Sequence, residues 1–112
     1  MNDLTQEKCV ACEGNVSPLN AEQIKNLMPQ LSKDWKISHQ PDSLKLHLNF
    51  KNFYHTMAFV NALAYIANQE KHHPDLKVSY NTCEITWTTH AINGLSLNDF
   101  ICAAKTETLI QD

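Results

Sequence analysis

Three of the six histidines are the residues of this chain best suited to chemistry. His72 and His73 are adjacent and precede Pro74, and His90 lies further along the chain, ahead of Asp99. Imidazole titrates closer to neutral pH than any other side chain, so a group of histidines can donate and accept protons without strong tuning. No obvious nucleophile accompanies them. The pattern therefore indicates general acid–base chemistry, if the fold brings the three rings together.

A helix is predicted to deliver the first two histidines. Residues from about 52 to 71 have helical periodicity, and Pro74 is expected to end the helix, because the residue before a proline is disfavoured in the α region. His72 and His73 would then lie at its C-terminal end, where the helix dipole favours a protonated imidazole. Capping of helix carbonyls is the structural alternative for these two residues.

The apolar stripe of this helix is wide. One row contains Phe53, Met57, Val60, Ala64 and Ala67, and the next contains Phe59, Leu63 and Ile66. A helix on the surface of a small domain normally needs a narrower stripe, so either the fold encloses it or part of its face packs on a second subunit. We expect a homo-oligomer, either a homodimer or a homotetramer.

Two strand pairs are predicted to flank this helix. Apolar and polar residues alternate with a period of two in four segments, which span residues 35–38, 44–50, 77–80 and 83–89. Pro41 and Asp42 supply a turn within the first pair, and His90 follows the last strand. Each pair is expected to form an antiparallel hairpin.

Helices are predicted near both ends of the chain. Asn20 is a good N-cap for a short amphipathic helix, and Ser96-x-x-Asp99 has the pattern of a capping box that opens the final helix. The predicted order is α-β-β-α-β-β-α. Helices that must bury their apolar stripes are expected to cover one face of a four-stranded antiparallel sheet, which is a two-layer α+β fold.

Length and charge restrict the class of protein. A chain of 112 residues suits one domain, predicted at 18–112 after an N-terminal leader at 1–17. The net charge is −3 and the lysines form no run, which disfavours a nucleic-acid partner. No long apolar run indicates a membrane span or a signal peptide. We therefore expect a soluble cytoplasmic protein.

The four cysteines suit a reducing compartment. Cys83 and Cys102 are predicted to be small core residues. Cys9 and Cys12 form a C-x-x-C pair, which is typical of half a zinc site or of a redox pair. No second pair completes a zinc site, so the favoured interpretation is a flexible or loosely docked leader, with no bound metal.

Several residues near the histidines have structural interpretations. Asp99 fits the capping box and is expected to influence the site at most indirectly. Tyr80 and Trp87 are expected in the core, whereas Glu70 and Lys71 are expected to be solvated. These interpretations compete with a direct role for each residue.

Taken together, the motifs resemble those of the pterin-4a-carbinolamine dehydratases, also called 4a-hydroxytetrahydrobiopterin dehydratases. The resemblance covers about residues 18–110. It is carried by His72-His73-Pro74-Asp75, by Tyr80, by the segment Ile85-Thr86-Trp87-Thr88-Thr89-His90, and by Gly94-Leu95-Ser96-x-x-Asp99. The His-His-Pro sequence alone would be a weak signal, but the combination is specific.

The resemblance implies a lyase that removes water from the 4a-carbinolamine of a tetrahydropterin and leaves the quinonoid dihydropterin. It implies no metal or organic cofactor, because the pterin is the substrate. The family's catalytic histidines fall on His72, His73 and His90, and its substrate contacts on His73, Pro74 and Asp99. Our hypothesis gives the proton transfers to His72 and His90 and the orientation of the pterin to His73.

The resemblance also implies a place in tetrahydrobiopterin recycling after aromatic amino acid hydroxylation, with a functional link to phenylalanine hydroxylase. Animal members of the family additionally act as dimerisation cofactors of a homeodomain transcription factor. A non-catalytic dimerisation cofactor or binding module, for a transcription factor or for the hydroxylase, is therefore the alternative function.

Two positions depart from the family pattern. Asn68 stands where many members have a carboxylate, and Leu76 stands where many have an aromatic residue. These differences bear on the substrate contacts and the rate. A metal-dependent hydrolase is the rival enzyme class, but adjacent histidines project about 100° apart on a helix and rarely bind one metal together.

Overall fold

The computed structural model describes residues 4–10 and 17–110. Its helices are α1 (Ala21–Leu27), α2 (Phe53–Glu70) and α3 (Leu97–Glu107), and its strands are β1 (Lys36–Ser38), β2 (Ser43–Asn49), β3 (Asp75–Val78) and β4 (Thr82–Trp87). Short 3₁₀ turns occur at Leu4–Gln6, Met28–Gln30 and His90–Ile92. The predicted order α-β-β-α-β-β-α and the α+β class are confirmed. None of the described helices is long and apolar enough to cross a membrane.

The four strands form one antiparallel sheet in the order β1-β2-β4-β3. Strands β2 and β4 are therefore central, with Leu44 opposite Trp87 and Leu46 opposite Ile85. Because side chains alternate between the two faces of a sheet, these four apolar residues share one face. All four are buried.

The core lies between this face and the two longer helices. Helix α2 contributes Phe59, Leu63 and Ala67, and α3 contributes Phe100, Ile101, Ala103 and Ala104. Lys45 and Glu84 lie on the opposite face of the sheet, with 3.9 Å between their charged groups. The helices thus cover one face, as the sequence predicted.

Local capping chemistry fixes the helix starts. The side chain of Asn20 accepts from the backbone N–H of Gln23, whose own side chain accepts from the backbone N–H of Asn20. Ser96 and Asp99 form the predicted capping box at the start of α3. Both boundaries could be predicted because each depends on residues within one helical turn.

The end of α2 lies within one residue of the prediction, but Lys71 sets it instead of Pro74. The helix ends at Glu70, before Pro74 can act, because Lys71 adopts a left-handed conformation with φ of 55°. The N–H of His72 then donates to the carbonyl of Ala67 at 3.2 Å, which closes the helix. His72 and His73 consequently lie directly after the C-terminal end of α2, in the connection to β3.

The end of β4 differs from the prediction. The predicted strand ran to residue 89, but β4 ends at Trp87. Asn93 is left-handed, with φ of 53°, and turns the chain so that the N–H of Thr89 donates to Gly94 at 2.9 Å. This return places His90 in a 3₁₀ turn directly after the end of the central strand β4.

Candidate active site

The fold brings the three histidines of the predicted site to one cavity of about 420 Å³. His72 and His73 reach it from the end of α2, and His90 reaches it from the turn after β4. Further lining residues are Cys9, Val10, Glu70, Lys71, Thr88, Thr89, Ala91 and Asn98. Segments that are distant in the sequence therefore share one wall.

A buried carboxylate orients His72. The imidazole Nε2 lies 2.6 Å from Oδ1 of Asp99, whose side chain is 0% exposed. The other oxygen of Asp99 accepts from the hydroxyl of Thr89 at 2.7 Å and from the N–H of Ser96 at 2.9 Å. Asp99 is thus both the predicted helix cap and the partner of a predicted catalytic histidine.

Trp87 fixes the plane of the same ring. Its indole stacks on His72 with centroids 5.4 Å apart and an angle of 24° between the rings. The indole Nε1 donates to Thr106 at 3.1 Å, and Trp87 is fully buried, which confirms its predicted place in the core. Since Nε2 is engaged by Asp99, Nδ1 is the ring nitrogen of His72 that remains for a ligand in the cavity.

His90 is held more loosely. Its side chain is 63% exposed, and its Nε2 lies 3.5 Å from a carboxylate oxygen of Asp75. His73 is also exposed, and it lines a second cavity of about 510 Å³ that includes Pro74 and Leu76. The cavity therefore combines one fixed imidazole with two that are open to solvent.

The three residues predicted to contact the pterin are placed differently. His73 lines the cavity that contains all three histidines. Pro74 lines only the neighbouring cavity among those described, and Asp99 lies beneath His72 instead of on the surface of either. Direct contacts of these residues with a substrate stay a prediction.

Two predictions about surrounding residues were wrong. Tyr80 is 65% exposed instead of lying in the core, because β3 ends at Val78 and leaves it in the turn before β4. Glu70 is largely buried, since Lys105 donates to its carboxylate at 2.7 Å and the N–H of Cys9 donates at 2.9 Å. Lys71 is exposed, as predicted.

The environment of Glu70 favours its charged form. Burial opposes ionisation, but the hydrogen bond from the Cys9 backbone and the bond and positive charge of Lys105 outweigh it and lower the pKa of Glu70. An anionic carboxylate therefore stands at the cavity wall beside the N-terminal segment.

Two contacts at the site were not predicted from the sequence. Asn98 lines the histidine cavity and hydrogen-bonds to the backbone of Val10, and Asp75, from outside the lining of this cavity, pairs with His90. Asn98 lies between the two ends of the capping-box pattern, which itself gives no reason to single it out. These contacts join distant parts of the chain, so no local periodicity could have indicated them.

The described part of the N-terminal segment is docked more closely than a loosely held leader would be. Leu4 is 7% exposed and belongs to the core. The domain boundary at residue 18 stays a prediction, and Cys12 lies outside the described residues. Within residues 4–10 and 17–110, no group of three or more His, Cys, Asp and Glu side chains is arranged to hold a metal ion.

Comparisons with known proteins agree with the motifs. The family model described as "Pterin 4 alpha carbinolamine dehydratase" matches residues 17–109. A provisionally named pterin-4-alpha-carbinolamine dehydratase of Legionella pneumophila (strain Corby) is 55% identical over 111 residues, which cover 99% of this chain and 98% of that protein. A relative with the same provisional name in Nitrosomonas eutropha is 51% identical over 96% of this chain and 94% of its own length.

Two solved structures share the fold. One is a "transcriptional coactivator/pterin dehydratase" of Brucella melitensis, with a TM-score of 0.77 and 24% identity over 83% of this chain and 98% of that one. The other is a pterin dehydratase-like protein described as a RuBisCO assembly factor in the alpha-carboxysome. It has a TM-score of 0.60 and 22% identity, covering 68% of this chain and 88% of its own. At these identities the likeness shows the architecture alone.

Proposed function

Because the chain belongs to the pterin-4-alpha-carbinolamine dehydratase family, we propose that it removes water from a 4a-hydroxytetrahydropterin and leaves the quinonoid dihydropterin. The observation that carries the proposal is the buried His72–Asp99 pair at a cavity that His73 and His90 also line. The pterin is the substrate, and no further cofactor is proposed.

The chemistry needs one acid and one base. Hydroxide leaves C4a poorly unless an acid protonates it, and the electrons that expel it come from a ring nitrogen as it loses its proton. Two imidazoles on one cavity can perform both transfers. Positioned acid–base groups typically contribute about 10²–10⁴-fold in rate, which suits an elimination that also proceeds slowly unaided.

We assign the base to His72. A carboxylate at one ring nitrogen of a histidine holds the tautomer whose other nitrogen can accept a proton, and it stabilises the imidazolium that forms. Asp99 stands in this relation to His72, so Nδ1 of His72 would take the proton from the ring nitrogen. Asp99 would then act as a positioning residue, through His72.

His90 is the corresponding acid in this mechanism. It would protonate the C4a hydroxyl, which leaves as water, and solvent can return its proton because the side chain is 63% exposed. His73 would orient the pterin from the same wall. After one turnover His72 holds one proton more and His90 one fewer, and exchange with solvent restores both.

A stopped-flow absorbance assay with freshly generated carbinolamine tests the activity. We expect the protein to accelerate loss of the carbinolamine in proportion to enzyme concentration. A rate equal to that of the buffer, with folded protein present, would contradict the proposal. Family membership also supports a role in tetrahydrobiopterin recycling, with a functional link to phenylalanine hydroxylase. We propose that the protein acts in the cytoplasm.

A non-catalytic binding module is the second candidate. The two structural neighbours favour it, since one is described as a transcriptional coactivator as well as a dehydratase and the other as an assembly factor. Neither description identifies a partner for this chain. Binding of a hydroxylase or a transcription factor without turnover of carbinolamine would favour this candidate over the enzyme.

We also propose that the protein is a homodimer or a homotetramer. Helix α2 buries Phe59, Leu63 and Ala67 within the fold but leaves Phe53 50% exposed and Tyr54 77% exposed. A second copy of the chain could cover these aromatic residues.

A further inference from the structure

The N-terminal segment, residues 4–10, contributes Cys9 and Val10 to the wall of the histidine cavity and is held there by hydrogen bonds to its backbone. The side chain of Asn98 accepts from the N–H of Val10 at 3.0 Å and donates to the carbonyl of Val10 at 2.6 Å. The carboxylate of Glu70 accepts from the N–H of Cys9 at 2.9 Å. These bonds hold the backbone of Cys9 and Val10 beside α2 and α3, and they leave the Cys9 side chain free to rotate.

The thiol of Cys9 meets a second thiol at this place. Its Sγ lies 3.5 Å from Sγ of Cys102 and 3.6 Å from the carbonyl of Asn98. Cys102 is fully buried in α3, whereas Cys9 is partly exposed and lines the histidine cavity. An oxidant that enters the cavity therefore reaches Cys9 before Cys102.

We propose that Cys9 and Cys102 form an oxidation site, at which a hydroperoxide such as hydrogen peroxide converts the two thiols into a disulfide that fixes the N-terminal segment against α3. A disulfide needs its sulfurs about 2.0 Å apart, so they must approach by about 1.5 Å. The short N-terminal segment carries Cys9 and can supply this movement, while α3 stays in the core.

The reaction balances in two steps. The thiol of Cys9 loses its proton and its sulfur attacks hydrogen peroxide, so that an S–O bond forms as the O–O bond breaks. The sulfur is thereby oxidised to a sulfenic acid, and the released hydroxide leaves as water with the thiol proton. The sulfur of Cys102 then displaces the hydroxyl of the sulfenic acid, and this hydroxyl leaves as a second water with the thiol proton of Cys102. The hydrogen bond with Cys9 and burial both raise the pKa of Cys102, which agrees with its reacting second.

The disulfide would alter the cavity because Cys9 is part of its wall. The effect on turnover rests on the proposed dehydratase function, whereas formation of the bond does not. A fixed wall lowers the entropy cost of binding, so we expect the KM for the carbinolamine to fall about two- to fivefold on oxidation. An unchanged KM in an active enzyme would overturn the link between the bond and the site.

Peptide mapping of the full chain tests the bond itself. The protein is treated with hydrogen peroxide, alkylated and digested with trypsin and a glutamate-specific protease. Cleavage after Glu84 separates Cys83 from Cys102. Cys9 and Cys12 stay together on one peptide, residues 9–13. We expect this peptide to be joined to the Cys102 peptide with the alkyl group on Cys12, which identifies Cys9 as the linked residue, and the link to be lost on treatment with dithiothreitol. Joining of Cys9 to Cys12 or to Cys83 in its place would overturn the proposal.

Serine variants identify the cysteines that form the bond. Cys12→Ser and Cys83→Ser should keep the cross-link, and Cys9→Ser should abolish it. The melting temperature of wild type should rise by about 5 °C or more on oxidation, since the bond closes a long loop, and that of Cys9→Ser should not. If no dehydratase activity is found but the cross-link forms, the proposed function fails and the oxidation site stands.

Discussion

Asp99 serves two structures with one side chain. One oxygen bonds to His72, and the other receives the N–H of Ser96 and the hydroxyl of Thr89. A buried carboxylate without such partners would cost several kcal/mol, so its three partners explain how it can lie at 0% exposure. The start of α3 and the orientation of the histidine therefore depend on the same atoms.

Replacing Asp99 should lower stability and activity together. We expect Asp99→Asn to slow carbinolamine dehydration by about 10²-fold, because the amide no longer fixes the tautomer of His72. The free energy of unfolding should fall by about 1–3 kcal/mol. The amide replaces one accepting oxygen of the carboxylate by an NH2 group, which leaves a buried donor without its acceptor. Stopped-flow absorbance and urea titration measure the two effects. The control, Asp34→Asn, changes an exposed carboxylate and should alter neither.

Alanine substitutions should distinguish the proposed acid and base from a histidine on the surface. His72→Ala and His90→Ala should each reduce the dehydration rate by about 10²–10⁴-fold. His47→Ala, which removes an exposed imidazole on β2, should retain the wild-type rate. Near-normal rates in both cavity variants would exclude the proposed mechanism, provided that circular dichroism shows them folded.

At the residue scale, the sequence predicted the histidines and the capping role of Asp99. It could not predict that the cap would also reach His72, because that contact joins residues 27 positions apart and depends on how α3 packs beside β4. The solvated position expected for Glu70 was wrong for the same reason. Its partners, Cys9 and Lys105, lie in other elements.

Among the elements, the end of α2 sets the direction of the histidine pair. Lys71 is left-handed with φ of 55°, and this single residue turns the chain out of the helix. A side chain with a Cβ is strained there by about 1 kcal/mol, whereas glycine is not. No glycine marks this position in the sequence, so the helix end was predicted at about residue 71 but attributed to Pro74.

Lys71→Gly should therefore stabilise the fold. We expect an increase of about 0.5–1 kcal/mol in the free energy of unfolding, measured by urea titration, because relief of strain exceeds the added entropy of the unfolded chain. Gln69→Gly, two residues earlier within α2, should instead cost about 1 kcal/mol. Destabilisation by both substitutions would contradict the strain at Lys71.

The contact between the N-terminal segment and α2 should depend on pH. The folded environment lowers the pKa of Glu70, so its stabilising effect is present above the pKa of the unfolded chain and is lost as pH falls through the lower folded value. Wild type should exceed Glu70→Gln in stability by about 1–2 kcal/mol at pH 7, and this difference should shrink as the pH falls below about 4. Urea titrations at several pH values measure the difference.

Glu22→Gln is the control for this pH dependence. Glu22 is an exposed carboxylate in the first turn of α1, away from the N-terminal segment. Its substitution should leave the pH profile close to that of wild type. A constant difference between wild type and Glu70→Gln from pH 3 to pH 7 would contradict ionisation as the cause.

At the scale of the whole molecule, two exposed aromatic residues at the start of α2 have no cover within the described part of the chain. Phe53 and Tyr54 lie at the start of this helix, and the edge strand β3 also leaves Val78 39% exposed. The periodicity of the sequence predicted the wide stripe. The periodicity could not show which residues of the stripe are buried within the chain and which are exposed, because this depends on where α3 packs against α2.

A charge at this surface should dissociate the oligomer. We expect wild type to elute as a dimer or tetramer in size-exclusion chromatography with light scattering, and Tyr54→Glu to shift toward the monomer, because an unpaired carboxylate resists burial. Lys51→Glu, an exposed control just before α2, should keep the wild-type mass. A monomeric wild type would rule out the proposed assembly.

The shared use of Asp99 has a consequence for protein engineering. Enzymes are often stabilised by replacing a strained polar group at the site, and the usual cost is lost activity. At Asp99, activity cannot be given up for stability, because the carboxylate that orients His72 also accepts the capping hydrogen bond at the start of α3. Selection for thermal tolerance would retain this residue as strictly as selection for turnover, and improvement must come from other positions.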